Sequence, residues 1–237
     1  EIVSATTQDG IKLHGSLRRP EEGTKNALTV DVLICHHGVG GNFYGSDMFD
    51  DFSDLATADG VAVIRANNRG HDPVSWATGP GGRKRIGAAY EVVSDCMQDW
   101  DAWITFAADQ GFKNIGVLGH SLGGTKTIYY FGNRDDSRVR CAIAASPPRL
   151  SYSAFLRDPD GEEFSGYVAV AKAKLDERFR DETDVAGGQT VSVSKASPPF
   201  GRRSFRVIGS RVMNSLFSAA TPAPVRAFNS VLLPALV

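Results

Sequence analysis

The stretch that most limits how this chain can fold is Gly119-His120-Ser121-Leu122-Gly123. It follows an apolar run, Ile115 to Leu118, and precedes a segment of helical character, Gly124 to Phe131. A G-x-S-x-G sequence between a buried strand and a helix calls for a sharp turn. Its small residues let strand and helix pack closely, and its serine is held out at the tip. The chain must therefore build a strand–turn–helix unit near its middle and a sheet for that strand to join.

The rest of the sequence supplies such a sheet. Val30 to Cys35, Val61 to Ala66 and Val139 to Ala145 are further apolar runs of the kind found in strands buried on both faces. Glu1 to Thr7 and Ile11 to Arg18 read as two strands around an Asp9-Gly10 turn. Between the buried runs, Asp47 to Asp59 places Phe49, Phe52, Leu55 and Ala56 at helical spacing, with Ser46 as N-cap and Gly60 just past the end. Gly87 to Gln110 reads as one long helix with Val93, Met97, Trp100 and Ile104 on a stripe. Asn67 to Arg85 reads as a loop. Strands alternating with helices predict an α/β fold, a mostly parallel sheet with helices on both faces. Past the last buried run, Pro147-Pro148 breaks the pattern, and Gly161 to Arg180 reads as an amphipathic helix placed where a cap over a site would sit.

With 237 residues, one sizeable domain is expected rather than two. A net charge of -1 gives no reason to expect nucleic acid or an anionic membrane as partner. No run of about eighteen apolar residues offers a membrane span, and Glu1-Ile2-Val3 does not open a charged-then-apolar leader. The three cysteines, Cys35, Cys96 and Cys141, each fall in an apolar stretch. They read as reduced core residues of a cytoplasmic protein. No close spacing of Cys and His suggests a metal site, apart from the adjacent pair His36-His37.

Composition breaks sharply near Asp184. All 27 acidic residues lie at or before it, whereas six of the 26 cationic residues lie after it: Lys195, Arg202, Arg203, Arg206, Arg211 and Arg226. Residues 1–184 thus carry −7 and residues 185–237 carry +6. The second part is rich in Ser, Pro, Arg, Ala and Val, without strand–helix alternation, and is expected to be atypical in structure.

The chemistry centres on Ser121. A serine at the tip of such a turn is a candidate nucleophile. The developing oxyanion of an acyl transfer needs two donors. The backbone N–H of Leu122 is one candidate, and that of Val39, in the glycine-rich loop His37-Gly38-Val39-Gly40-Gly41-Asn42, is the other. A general base is harder to find. The five histidines are His14, His36, His37, His71 and His120, and none follows Ser121. His36 and His37 read as shape-setting residues of the loop. His120 flanks the serine but points away on a sharp turn. His71 is the candidate substitute base, being the histidine on the catalytic edge without a motif role. Asp158 and Asp160 read as polar loop residues, so no catalytic acid is assigned.

Residues 9 to about 155 resemble the α/β-hydrolase superfamily, in its serine esterase and lipase-like branch. The resemblance rests on Asp9-Gly10-Ile11-Lys12-Leu13-His14-Gly15, the His37-Gly38 loop, Asn68-Arg69-Gly70-His71 and Gly119-His120-Ser121-Leu122-Gly123, in that order. It implies an eight-stranded, mostly parallel sheet, no cofactor, a small acyl substrate and an acyl-enzyme intermediate. It also implies two strands after Ala145 that carry an Asp and then a His, which match no residue here. The fold is therefore expected to lack its last strands. Three origins fit the unmatched end: a shifted reading of a GC-rich gene, a replacement in a non-catalytic binding protein that keeps the pocket, or an active chain with an unusual base.

Overall fold

A computed structural model of the protein describes residues 1–148, 156–157, 161–176 and 206–208. Its strands are β1 (Ile2–Thr6), β2 (Lys12–Arg18), β3 (Val32–His36), β4 (Ala62–Ala66), β5 (Ser75–Gly79), β6 (Gly82–Ile86), β7 (Ile115–His120), β8 (Val139–Ala145) and β9 (Arg206–Ile208). Seven of them form one sheet in the order β1-β2-β4-β3-β7-β8-β9. The β1–β2 hairpin and the β2–β4 pair are antiparallel. Every later neighbour is parallel.

Every residue of β3 and β4 is buried, as a strand covered on both faces requires. Successive side chains feed opposite layers. Val32, Ile34, Ile64 and Val117 face a core shared with Trp100, Trp103 and Tyr130. Leu33, Cys35, Val63 and Leu118 face a second core with Phe49, Phe52 and Ala56. The second layer is helix α1 (Asp47–Ala58). Ser46 caps it from an extended backbone, its Oγ accepting the Phe49 N–H at 3.3 Å, and Gly60 leaves it in the left-handed region at φ 79°. The first layer holds α2 (Cys96–Asp109) and residues of α3 (Leu122–Asn133). Burying a side chain the size of Phe49 or Ile34 is worth about 1.5–3 kcal/mol, so the two cores dominate the stability of the body.

Three segments differ from the sequence reading. The stretch from Asn67 to Arg85 is not all loop: β5 and β6 form a separate two-stranded hairpin from Ser75 to Ile86. The long helix expected from Gly87 starts only at Cys96. Ahead of it lie two short 3₁₀ turns, Ala88–Tyr90 and Val93–Asp95, with Glu91 extended between them. Finally, β9 adds a parallel strand beside β8 in a region where no strand was expected. A helix is present there as α4 (Gly161–Asp176), whereas its expected last turn, residues 177–180, lies outside the described residues. So do Asp158, Asp160 and, apart from residues 206–208, the whole segment 185–237.

Candidate active site

The sheet order reverses direction at β3. From it, β4 lies on one side and β7 on the other, and ligands of open α/β sheets bind at the carboxyl ends of strands at such a point. Register brings the loops to one level. His36 pairs with Gly119 across β3 and β7 and with Ala66 across β3 and β4. The His37-Gly38 loop, the Asn67–Asp72 loop and Ser121 therefore leave the sheet together.

Ser121 occupies the turn between β7 and α3 with φ 54° and ψ −123°. A non-glycine residue held there stores about 1–3 kcal/mol of strain, tolerated only where the surroundings fix it. They do so here. The Ser121 N–H donates to the Ala145 carbonyl at 2.9 Å, and the Ser121 carbonyl accepts from Gly124 N–H at 2.9 Å. The flanking glycines leave no space for a side chain. A Cβ on Gly119 would lie 2.1 Å from the Gly123 carbonyl oxygen, and one on Gly123 would lie 2.6 Å from the carbonyl oxygens of His36 and His37. Close packing of α3 onto the end of β3 thus sets the turn.

The glycine-rich loop meets the serine directly. A Cβ on Gly38 would sit 2.9 Å from Ser121 Cβ and 3.2 Å from its Oγ. The next residue, Val39, is exposed, and Leu122, the first residue of α3, is buried. The N–H groups of a helix's first turn have no partner within the helix, and that of Leu122, the first residue of α3, is one of them.

The histidines behave differently from one another. His36 is fully buried and stacks on Trp100 at 3.6 Å, and neither of its ring nitrogens has a hydrogen-bond partner. Burial pushes its pKa well down. His37 is buried too. Its Nε2 accepts the Asn68 N–H at 3.3 Å, and its Nδ1 lies 2.8 Å from the Gly38 carbonyl oxygen. Burial moves its pKa to about 3, against the pull of that carbonyl. Both are neutral rings, but only His37 bonds to the loops; His36 ends β3 and packs into the core against Trp100. Half-buried His120 is also lowered by burial. His71 stands on the Asn67–Asp72 loop with Nδ1 2.7 Å from Asp72 Oδ2. Asp72, at φ 57°, also accepts Asn42 Nδ2–H and Tyr44 O–H, each at 2.7 Å. Burial opposes ionisation of Asp72, but these three bonds outweigh it and hold its carboxyl below the ordinary value. His71 thus has the carboxylate partner that a base histidine needs, and among the described residues no hydrogen bond joins it to Ser121.

Behind these loops lies a buried charge cluster that the sequence reading missed. Lys126 of α3 and Asp99 of α2 are fully buried, and Glu91 and Arg69 nearly so. Lys126 pairs with Glu91 and donates to Asn68 Oδ1 at 3.0 Å. Arg69 donates from Nε and its backbone N–H to Asp99 at 2.9 Å each, and from its terminal nitrogens to Asp9. Burial pushes the Asp99 carboxyl up, in opposition to Arg69. Burial also disfavours charge on Arg69, yet Asp99 and Asp9 overcome it and keep the guanidinium charged. The one signal in the sequence was Lys126 on the stripe that also carries Leu122 and Tyr130, a charged residue where an apolar one was due.

A separate cavity of about 500 Å³, lined by residues including Glu1, Arg18, Asp50 and Arg65, shares none of the site residues. Among the described residues, no group of three or more His, Cys, Asp or Glu side chains could hold a metal ion. No helix there is long and apolar enough to cross a membrane.

Comparison with solved structures finds the same architecture. The alpha/beta hydrolase GrgF from Penicillium sp. sh18 superposes with a TM-score of 0.52 at 19% identity, covering 75% of this chain and 54% of its own. An esterase from Pyrococcus furiosus gives 0.50 at 22%, covering 73% and 56%. DcsB, solved in complex with its substrate analogue, gives 0.54 at 15%, covering 100% of this chain and 68% of DcsB. At these identities the likeness is one of fold, and the chain spans about half the length of the first two. No match is found among curated proteins. The sequence profile described as "alpha/beta hydrolase fold" matches residues 31–216, most of the chain and all of the loops above, so the chain belongs to the alpha/beta hydrolase fold family.

Proposed function

We propose that the chain is a serine hydrolase of a carboxylic ester or related acyl bond, in which Ser121 is the nucleophile. The observation that carries this reading is the strained turn of Ser121 with its Oγ against Gly38. In the proposed reaction Ser121 Oγ bonds to the acyl carbon, and the negative charge moves to the carbonyl oxygen. The backbone N–H groups of Leu122 and Val39 receive it, and collapse expels the alcohol and leaves an acyl-enzyme for water to hydrolyse. The substrate is a small acyl compound, and no cofactor enters the chemistry.

The proton of Ser121 needs an acceptor. Within these 237 residues no histidine follows Ser121. Turnover of this chain is accordingly slow, because an unactivated hydroxyl attacks poorly and the oxyanion donors alone give only residual catalysis. His71 is the candidate substitute base, given its Asp72 partner. The missing base also favours a second reading, a ligand-binding protein that keeps the hydrolase pocket without turnover. Hydrolysis of an activated phenyl ester by the purified chain, Ser121→Ala and His71→Ala separates these. Slow hydrolysis that Ser121→Ala barely changes means that Ser121 is left unactivated and that water attacks with the oxyanion donors alone, the fully impaired case. A turnover of roughly tens per second that disappears in Ser121→Ala means a working base exists, and its loss in His71→Ala identifies that base. Saturable binding without any turnover supports the binding protein.

A further inference from the structure

The buried pair Lys126–Glu91 has no role in the reaction written above, yet burying two charges is costly unless geometry repays it. Its surroundings show what it holds. Lys126 Nζ donates to Asn68 Oδ1 at 3.0 Å, and that oxygen also accepts the Gly70 N–H at 2.8 Å. The side chain of Asn68, fully buried, is thereby pinned on its acceptor oxygen. Its backbone N–H donates to His37 Nε2 at 3.3 Å. A backbone N–H can only donate, so Nε2 must accept and the ring proton must sit on Nδ1. That proton points at the Gly38 carbonyl oxygen, 2.8 Å away, which also receives the Gly41 N–H at 3.3 Å. The Gly38–Val39 peptide is trans. In a trans peptide the N–H points opposite to the C=O, so fixing the Gly38 carbonyl fixes the direction of the Val39 N–H.

We propose that Lys126, Glu91, Asn68 and His37 form a positioning relay that sets the His37 tautomer and so aims the Val39 N–H of the oxyanion loop. The inference rests on the reading of Val39 as an oxyanion donor, but its structural part can be tested without catalysis. Among the described residues, no hydrogen bond joins any of the four side chains to Ser121. Gly70 belongs to the same device, since a Cβ there would lie 2.1 Å from Glu91 Oε2, so the glycine gives the carboxylate its place beside Lys126.

The test uses the full chain labelled with ¹⁵N-histidine. Long-range ¹H–¹⁵N spectra distinguish the two neutral tautomers, and the His37 signals are assigned from a His37→Gln variant. The relay expects His37 in the Nδ1–H form at neutral pH. It expects this pattern to become a mixture in Asn68→Ser, which leaves the ion pair in place, and in the double variant Lys126→Met with Glu91→Gln. A parallel measurement follows modification of Ser121 by an activated p-nitrophenyl phosphonate, using intact mass. There Oγ bonds to phosphorus, p-nitrophenolate leaves, and the serine proton is lost to solvent. The maximal rate should fall at least about 10-fold in both variants, with little change in half-saturating reagent, because a misaimed donor loses part of the 10²–10³-fold that one oxyanion donor supplies. An Nε2–H tautomer in the unmodified chain overturns the relay, as do an unchanged tautomer and rate in Asn68→Ser. Should the double variant not fold, Asn68→Ser decides. Absence of any modification at Ser121 in the unmodified chain overturns the nucleophile reading instead, and the His37 spectra then decide the relay alone.

Discussion

At the scale of single residues, two glycines carry sharp expectations. Gly38 faces Ser121 so closely that an alanine Cβ would lie 2.9 Å from Ser121 Cβ and 3.2 Å from Oγ. The nearer contact is to Cβ, which no change of rotamer can move, so the loop must retreat from the serine. Gly38→Ala should fold with a loss of about 1–2 kcal/mol, yet lower the rate of phosphonate attack on Ser121 by more than about 10-fold. An unchanged rate would mean that Ser121 reacts without the loop. Gly70→Ala acts at a distance from the chemistry. The added methyl would displace the Glu91 carboxylate from Lys126, stranding two buried charges, and breaking such a pair costs about 3–5 kcal/mol. Urea denaturation should therefore show Gly70→Ala to be the more destabilised variant. Equal stabilities would show that Glu91 has another place to go.

At the scale of elements, legibility followed the source of each element's stability. The strands β3, β4, β7 and β8 and helix α1 were readable because apolar burial alone specifies them, and burial leaves a period in the sequence. Helix α1 was read to within a residue at both ends, through Ser46 and Gly60. Ser46→Ala removes the side-chain acceptor of the Phe49 N–H, leaving it the Ser46 carbonyl at 3.1 Å, and should cost about 1 kcal/mol, measured as a shift in urea midpoint with unchanged slope. A shift below about 0.3 kcal/mol would mean that water replaces the cap fully. The β5–β6 hairpin was not readable, because β6 is Gly82-Arg83-Lys84-Arg85-Ile86 and exposed except at its last residue. What holds it is cross-strand contact, with the guanidinium groups of Arg83 and Arg85 lying 4.8 and 5.3 Å from the Trp76 ring centre. The start of α2 was misread for a related reason. Glu91 must stay extended and buried to reach Lys126, so the helical pattern cannot begin at Gly87. Of the site, Ser121 and its loop were visible as local motifs. Asn68, Glu91 and Lys126 were not, since their meaning lies in contacts between β4, α2 and α3 regions that no local spacing reports.

At the scale of the whole molecule, the buried histidines make stability depend on pH. His36 and His37 are 0% and 3% exposed, and burial lowers both, His37 to about 3. In the unfolded chain both return to about 6.5. The unfolded state therefore binds more protons wherever pH lies below about 6.5, and stability falls as pH falls. The contribution is whole above that value and, for His37, is lost progressively down to about 3. Each histidine should contribute a slope of about 1.4 kcal/mol per pH unit once fully engaged. Asp9, Asp72 and Asp136, all held below the ordinary 3.8 by hydrogen bonds that outweigh burial, act in the same direction but only at lower pH. Asp99, raised by burial, works oppositely. Between pH 7 and pH 5 the unfolding free energy should thus drop by on the order of 2–4 kcal/mol, read from urea denaturation at each pH. His36→Phe provides the control. His36 stacks on Trp100 at 3.6 Å and neither ring nitrogen is bonded, so a phenyl ring keeps the packing and removes both the unpaired polar atoms and the titration. The variant should be more stable than the parent at pH 5 and should show a shallower pH slope, His37 and His120 still contributing in the same direction. An identical slope in His36→Phe would place the protonation that destabilises the parent on some group other than His36.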